Sequence, residues 1–256
     1  MPNEITDTPI AIAAGQIRGA YNLGFFGYNP DIDTGITEDI WTVGGTYVFP
    51  SDAGEAMEII STNPADTGIF YRVRYMDVDF RVKDVVLALN GTVPVPLPEP
   101  ATRIYSILNY SAQRSLGTVN VQQAGGGNIY CQALTGDQNS LMAILTIPDG
   151  KIGVIQDFNA NMIRGTGSDS NAVITADIRL FTDVGRSARI STLRYGAQKS
   201  GDSSVKGNIN SGYVLPPRTD IIAKVAPTAD DTSASAFIHI TLLPIEQADT
   251  AQFLKS

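Results

Sequence analysis

The sequence predicts an all-β chain: an antiparallel β-sandwich of jelly-roll type, with length enough for two packed sandwiches. Three observations carry this. Apolar residues recur with a period of two rather than 3.6. Turn signals interrupt the chain about every ten residues, the rhythm of short strands in a sandwich or barrel. The 24 glycines and 14 prolines among 256 residues punctuate the chain too often for long helices. Hydrophobic residues make up 43% and charged residues 17%, so a large core is available and wholesale disorder is excluded. The charged share is below the roughly 25% of an average domain, so much of the surface must be neutral-polar or covered by a partner.

Residues 1–40 hold spaced apolar residues and GFFGYNP but no clean alternation. They read as an N-terminal arm, ordered by packing on the body or on a neighbouring subunit; an irregular N-terminal loop is the alternative. The body follows at 41–245 and a C-terminal tail at 246–256. Within the body, SDAGEAMEII at 51–60 is the best helical candidate, a single turn with Ser51 as its cap and Gly54 weakening it. In residues 69–90, Tyr71, Val73 and Tyr75 alternate with Phe70, Arg72 and Arg74, which marks a strand with one buried face. A bend or bulge at 77–79 precedes VKDVVLAL, and Asn90-Gly91 marks a turn. The four prolines in VPVPLPEP, 93–100, exclude a central strand, because proline lacks the N–H donor; this stretch is an extended connector and a candidate subdivision of the body. Further strands are expected at 104–110, 118–123, 128–134, 141–147, 153–157, 172–181, 189–195, 212–215, 220–226 and 234–243.

Charge is unevenly placed. Residues 1–60 hold nine acids and one base, Arg18, and so carry the whole net charge of -8. Residues 179–206 hold six bases, among them Arg179, Arg186, Arg189 and Arg194, against Asp183 and Asp202. An acidic N-terminal part docking on a basic face of a neighbouring subunit is one reading; a soluble acidic surface with an ordinary basic loop is the other. Nucleic acid is not an expected partner, since phosphate binding needs a basic stripe and the chain as a whole would repel it. No membrane partner is expected either, because no apolar run approaches the roughly 20 residues of a membrane helix, and the polar, acidic start MPNEITDTP is unlike a secretory signal.

One histidine and one cysteine exclude an intrachain disulfide and a Cys/His zinc site. His239 sits on a strand face with Phe237 and Thr241, away from any recognisable nucleophile motif, and reads as a strand histidine rather than part of a triad. Cys131 reads as a half-buried, inert strand thiol suited to a reducing compartment or to a particle assembled in one. Asp31 and Asp33 resemble the opening of a calcium loop, but Thr42 stands where the twelfth-position glutamate should be. Asp77 and Asp79 would share a strand face, where they could chelate, act as paired carboxylates in a glycosidase, or simply be solvated. The expectation is no catalytic residue, no metal and no cofactor. Tyr21, Phe25, Phe26, Tyr28, Trp41 and Tyr47 crowd the start of the chain. Aromatics beside acids can form a sugar-binding surface; they are also the residue types that anchor interfaces. Of these, Tyr21, Phe25, Phe26, Tyr28 and Trp41 are the expected interface residues of the arm.

Several stretches resemble a diffuse family of tailed-bacteriophage virion proteins, of the kind found in marine phages. They are IWTVGGTY at 40–47 with Phe49-Pro50, LNGT at 89–92, GDQNSLMA at 136–143 and TIPDGK at 146–151. The likeness spans about residues 36–160 and consists of turn and strand chemistry; the remainder is similar only in its β character. The resemblance implies a non-enzymatic β-sandwich protein of the virion, a capsid decoration or fibre component assembled in the host cytoplasm. Its partners would be itself, with three-fold symmetry expected, and other virion proteins such as the major capsid protein. A receptor- or glycan-binding module of a phage tail or fibre, recognising a host surface glycan, is the alternative.

Overall fold

The computed structural model describes residues 11–12, 15–163, 172–179, 195–197, 203–227 and 232–245. Among them the chain is all-β, with antiparallel strand pairing throughout. The strands are β1 (Tyr21–Ile32), β2 (Glu38–Asp39), β3 (Met57–Ser61), β4 (Thr67–Met76), β5 (Val82–Asn90), β6 (Val95–Pro96), β7 (Arg103–Asn109) and β8 (Val119–Gln123). They continue with β9 (Ile129–Ala133), β10 (Ile144–Thr146), β11 (Lys151–Ile163), β12 (Ala172–Arg179), β13 (Tyr195–Ala197), β14 (Ser203–Leu215), β15 (Asp220–Pro227) and β16 (Thr232–Pro244).

Among the described residues the first and last strands are neighbours. One sheet runs β1-β16-β11-β14 and a second β10-β15-β12-β13, with β2 also pairing with β15. Leaving β2 aside and counting these eight strands in chain order, the sheets read 1-8-3-6 and 2-7-4-5, the strand order of a jelly roll. Alternation explains the core between them. Ala234, Ala236, Ile238, Ile240 and Leu242 of β16 point inward, opposite Ile221, Ala223 and Val225 of β15. On β11 the register shifts between Ile155 and Asp157. The extra residue lets both Ile155 and Phe158 face the core, although their spacing would otherwise put them on opposite sides.

A second sandwich, β3–β9, is inserted between β2 and β10. Its sheets run β6-β3-β8-β9 and β5-β4-β7, and they enclose a second core with Met57, Ile59, Tyr71, Val73, Ile107 and Val121. Both ends of the insertion are anchored on one strand, since β2 pairs with Lys224 and Val225 of β15 and β10 with Asp220–Ile222. The two cores interlock: Met76, Phe80 and Tyr105 of the insertion reach into the jelly-roll core, and Ile144 and Ile222 reach the other way.

Several expectations change. The 51–60 segment is not helical. Gly54 turns with φ +83°, Glu55 and Ala101 exchange both backbone hydrogen bonds, and 57–61 pairs with β8; the buried alternation of Met57 and Ile59 overrides the helical composition. The proline run forms β6 and its flanks, an edge strand on β3, and lies inside the second sandwich; the chain passes between sandwiches before β3 and after β9. Residues 21–32, placed in the arm by their sequence, form an edge strand of the jelly roll, and Ile40 is buried in its core. Asp77 and Asp79 do not share a strand face. Asp77 is buried and its Oδ1 accepts the N–H groups of Asp79 and Arg81, each at 2.9 Å, in a turn where Phe80 has φ +58°.

Candidate functional site

Where β1 runs past the inserted sandwich, the two units leave a groove of about 520 Å³. One wall is β1, with Tyr21, Leu23, Gly24, Phe25 and Phe26. The other comes from β4 and β7, with Arg72, Arg74, Ser106 and Leu108, and the 139–142 segment contributes Asn139 and Ser140.

Strand register builds the second wall. Arg72 lies between Val86 of β5 and Leu108 of β7, and Arg74 between Asp84 and Ser106. Tyr71, Val73 and Tyr75 point to the core, so the arginines point out. Arg74 is held by two hydrogen bonds to Asp84, Nε–Oδ1 and Nη2–Oδ2, both 3.0 Å; the bonds to Asp84 hold its pKa above the ordinary guanidinium value despite partial burial. Arg72 is less committed. Its Nε is 3.8 Å from Asp84 Oδ1 and has no hydrogen-bond partner, and its guanidinium rests over the Tyr110 ring at 5.4 Å. On the facing wall, Phe25 packs against Tyr105 with ring centroids 5.7 Å apart. Burial raises the Tyr21 hydroxyl pKa, against the pull of Arg74. The groove combines apolar rings, two cations and neutral amide and hydroxyl groups: chemistry for holding an extended, partly anionic partner.

Of the expected arm residues, Tyr21, Phe25 and Phe26 meet in this groove. Tyr28 is half-buried on the same strand. Trp41 is not at the surface. It is 4% exposed, packed in the second core edge-on to Tyr47 at 4.9 Å, because its backbone bridges to Met142 at the junction of the two units. Two of the acids thought to accompany the aromatics lie elsewhere. Glu38 and Asp39 are buried: Glu38 accepts the Gly45 N–H and the Asn29 amide, and Asp39 the Tyr47 N–H and Lys224 Nζ. Of the basic face, Arg179 closes β12 opposite Asp220; Arg186, Arg189 and Arg194 lie outside the described residues.

His239 faces outward, its Nδ1 3.4 Å from Asp157 Oδ2, and among the described residues no hydroxyl or thiol is bonded to it. Cys131 is fully buried, and burial pushes its thiol up to about 12. Among the described residues no three His, Cys, Asp or Glu side chains cluster as a metal site, and no helix is long and apolar enough to cross a membrane. The sequence alternation put Arg72 and Arg74 on one face of a strand, but did not show that β1 would stand across from them.

No family model matches the chain, and no curated protein matches it. Among solved structures it is similar to chains in particles of infectious bursal disease virus, its VP2 protein among them. One, in T=1 particles derived from the virus, is 13% identical with a TM-score of 0.26, covering 88% of this chain and 70% of that one. Another, from the Gt strain, is 11% identical with a TM-score of 0.28, covering 88% and 72%. A third, in the T13 particle, is 12% identical with a TM-score of 0.25, covering 88% and 68%. Likeness at this level adds nothing to the fold or function read from the chain itself.

Proposed function

We propose that the chain is a non-enzymatic structural component of a virus particle, assembling with copies of itself and with other particle proteins. The observation that carries the reading is the jelly-roll strand order with a second sandwich inserted between its first and second strands. Jelly rolls serve viral capsids, lectins and cupins alike, and a fold by itself hosts many functions. Here the space between the jelly-roll sheets is filled by Ile155, Phe158, Ile238 and Ile240, all 2% exposed or less, so the interior is a core rather than a ligand chamber. The groove lies outside it, at the seam with the insertion, where a neighbouring chain can reach. The sequence resemblance over 36–160 supports the same reading and narrows it to a tailed-phage capsid decoration or fibre protein, three-fold in symmetry and bound to the major capsid protein.

Light scattering on the purified chain over a wide concentration range tests this. The expected mass is a fixed multiple of 27.3 kDa that survives dilution. A monomer at every concentration overturns self-assembly.

A further inference from the structure

Among the described residues β1 pairs along one edge with β16, and no strand pairs with its other edge. The Tyr28 N–H points away from β16, toward the Leu141 carbonyl at 3.5 Å. In an antiparallel ladder the N–H and C=O of a residue point to the same side, and alternate residues point alike. Gly24 and Phe26 therefore direct their backbone groups toward the groove, where among the described residues neither has a backbone partner. Both are exposed, Phe26 by 47%. Sheets protect such edges with lysine, proline, a bulge or a covering segment. Residues 21–27, YNLGFFG, carry neither lysine nor proline, and the register shift of this strand comes only after Asn29. An unprotected edge beside a groove is the geometry of strand addition by an extended segment.

We propose that this edge receives the N-terminal residues 1–10 of a second copy of the chain, added to β1 as a further strand. The inference rests on the self-assembly reading above and gives it a contact. Charge complementarity points to this segment. MPNEITDTPI carries Glu4 and Asp7 and no base, and the groove wall carries Arg72 and Arg74. In an extended strand Glu4 and Asp7 fall on opposite faces, so either face turned to the wall brings a carboxylate to it. Arg72 is the cation it would meet: Arg74 is held by two hydrogen bonds to Asp84, whereas Arg72 Nε stands 3.8 Å from that carboxylate without a hydrogen-bond partner. The approach of the chain to β1 favours a second copy over its own N-terminus. Gly19 packs against Pro244 of β16, and its carbonyl accepts Lys151 Nζ of β11 at 2.7 Å. The chain thus reaches Tyr21 from the β16 and β11 side, away from the open edge.

Sedimentation velocity of the full chain tests this, with circular dichroism and melting temperature confirming each variant's fold. Phe26→Lys places a charge on the exposed edge and is expected to weaken association at least tenfold with an unchanged fold. Glu4→Lys with Asp7→Lys is expected to do the same, and adding Arg72→Glu to that pair to restore part of the loss. An oligomer unchanged by all these variants overturns the edge contact and leaves self-assembly standing, whereas a monomeric wild type overturns both. If Glu4→Lys with Asp7→Lys lowers the melting temperature but not the mass, the segment docks on its own chain and the second-copy contact is wrong. A glycan-array hit that Phe26→Lys abolishes, with the mass unchanged, would give the groove to a sugar instead.

Discussion

Arg103 of β7 and Asp220 of β15 form a buried, two-pronged ion pair across the seam between the sandwiches. Nε meets Oδ1 at 3.0 Å and Nη2 meets Oδ2 at 3.1 Å, with the side chains 3% and 0% exposed. Thr146 donates to the same carboxylate at 2.5 Å, and Asp52 takes the outer edge of the guanidinium at 2.8 Å. The guanidinium is stacked near Phe49 and Phe80, so the pair is fully enclosed. Burial is the largest single influence and favours the neutral guanidine, but the attraction and hydrogen bonds of Asp220 and Asp52 together outweigh it and raise the Arg103 pKa.

Removing one member strands the other. Asp220→Asn is expected to cost about 3–5 kcal/mol, the usual loss when half of a buried pair is removed, read by chemical denaturation. Replacing both residues by leucine should cost less than the sum of the single changes, because no charge is then left buried. Additive losses would mean that the pair does not couple the two units.

Asp66 is expected to contribute to the protein's loss of stability in acid. Burial pushes its pKa up, but hydrogen bonds from Ser61, Leu116 N–H and Gly117 N–H outweigh burial and hold it below the ordinary 3.8. Because the folded value is depressed, the stabilisation is complete above the ordinary carboxylate value and is lost as pH falls below it, through the folded value. Asp66→Asn turns an amide N–H₂ toward donors and should cost about 2 kcal/mol at pH 7. It should also flatten the fall in stability below pH of about 4; an unchanged acid limb in melts from pH 2 to 7 would count against this.

Gly27 is where β1 passes over the junction. A Cβ there would stand 2.2 Å from Ala143 N and 2.4 Å from Ile40 O, which are bonded to each other at 2.9 Å. Both are backbone atoms and cannot swing aside, so Gly27→Ala should destabilise by about 3 kcal/mol. Thermal melts of the variant beside Gly35→Ala, whose site has no atom within 4 Å but φ +78°, would separate crowding from backbone strain.

Cys131 should be chemically silent. With the thiol buried and pushed up to about 12, labelling by a thiol reagent at pH 8 is expected to be on the order of a hundredfold slower in the native protein than after unfolding. Rapid native labelling would mean that β9 opens readily.

Much of the fold was legible because it is local. The alternation of Tyr71, Val73 and Tyr75 gave β4, Asp77 marked its bend, and the strand expected at 234–243 lies within β16. What the sequence did not show is non-local. Tyr21 pairs with Leu242 at the other end of the chain, so a segment without clean alternation became a sheet edge once β16 was available to order it. The same pairing brought Phe25 and Phe26 opposite Arg72 and Arg74, a juxtaposition no spacing in the sequence encodes. Trp41 read as a surface anchor because of its neighbours in sequence, whereas the insertion folds over it. At 51–60, helical composition gave way to the partner strand β8.

The most direct test of the groove as the assembly surface is hydrogen–deuterium exchange on the full chain, compared between dilute and assembled samples. Slowed exchange at Gly24 and Phe26, with protection around Arg72 and Leu108, is expected only on assembly. Equal exchange over β1 in both samples, with new protection elsewhere, would contradict it.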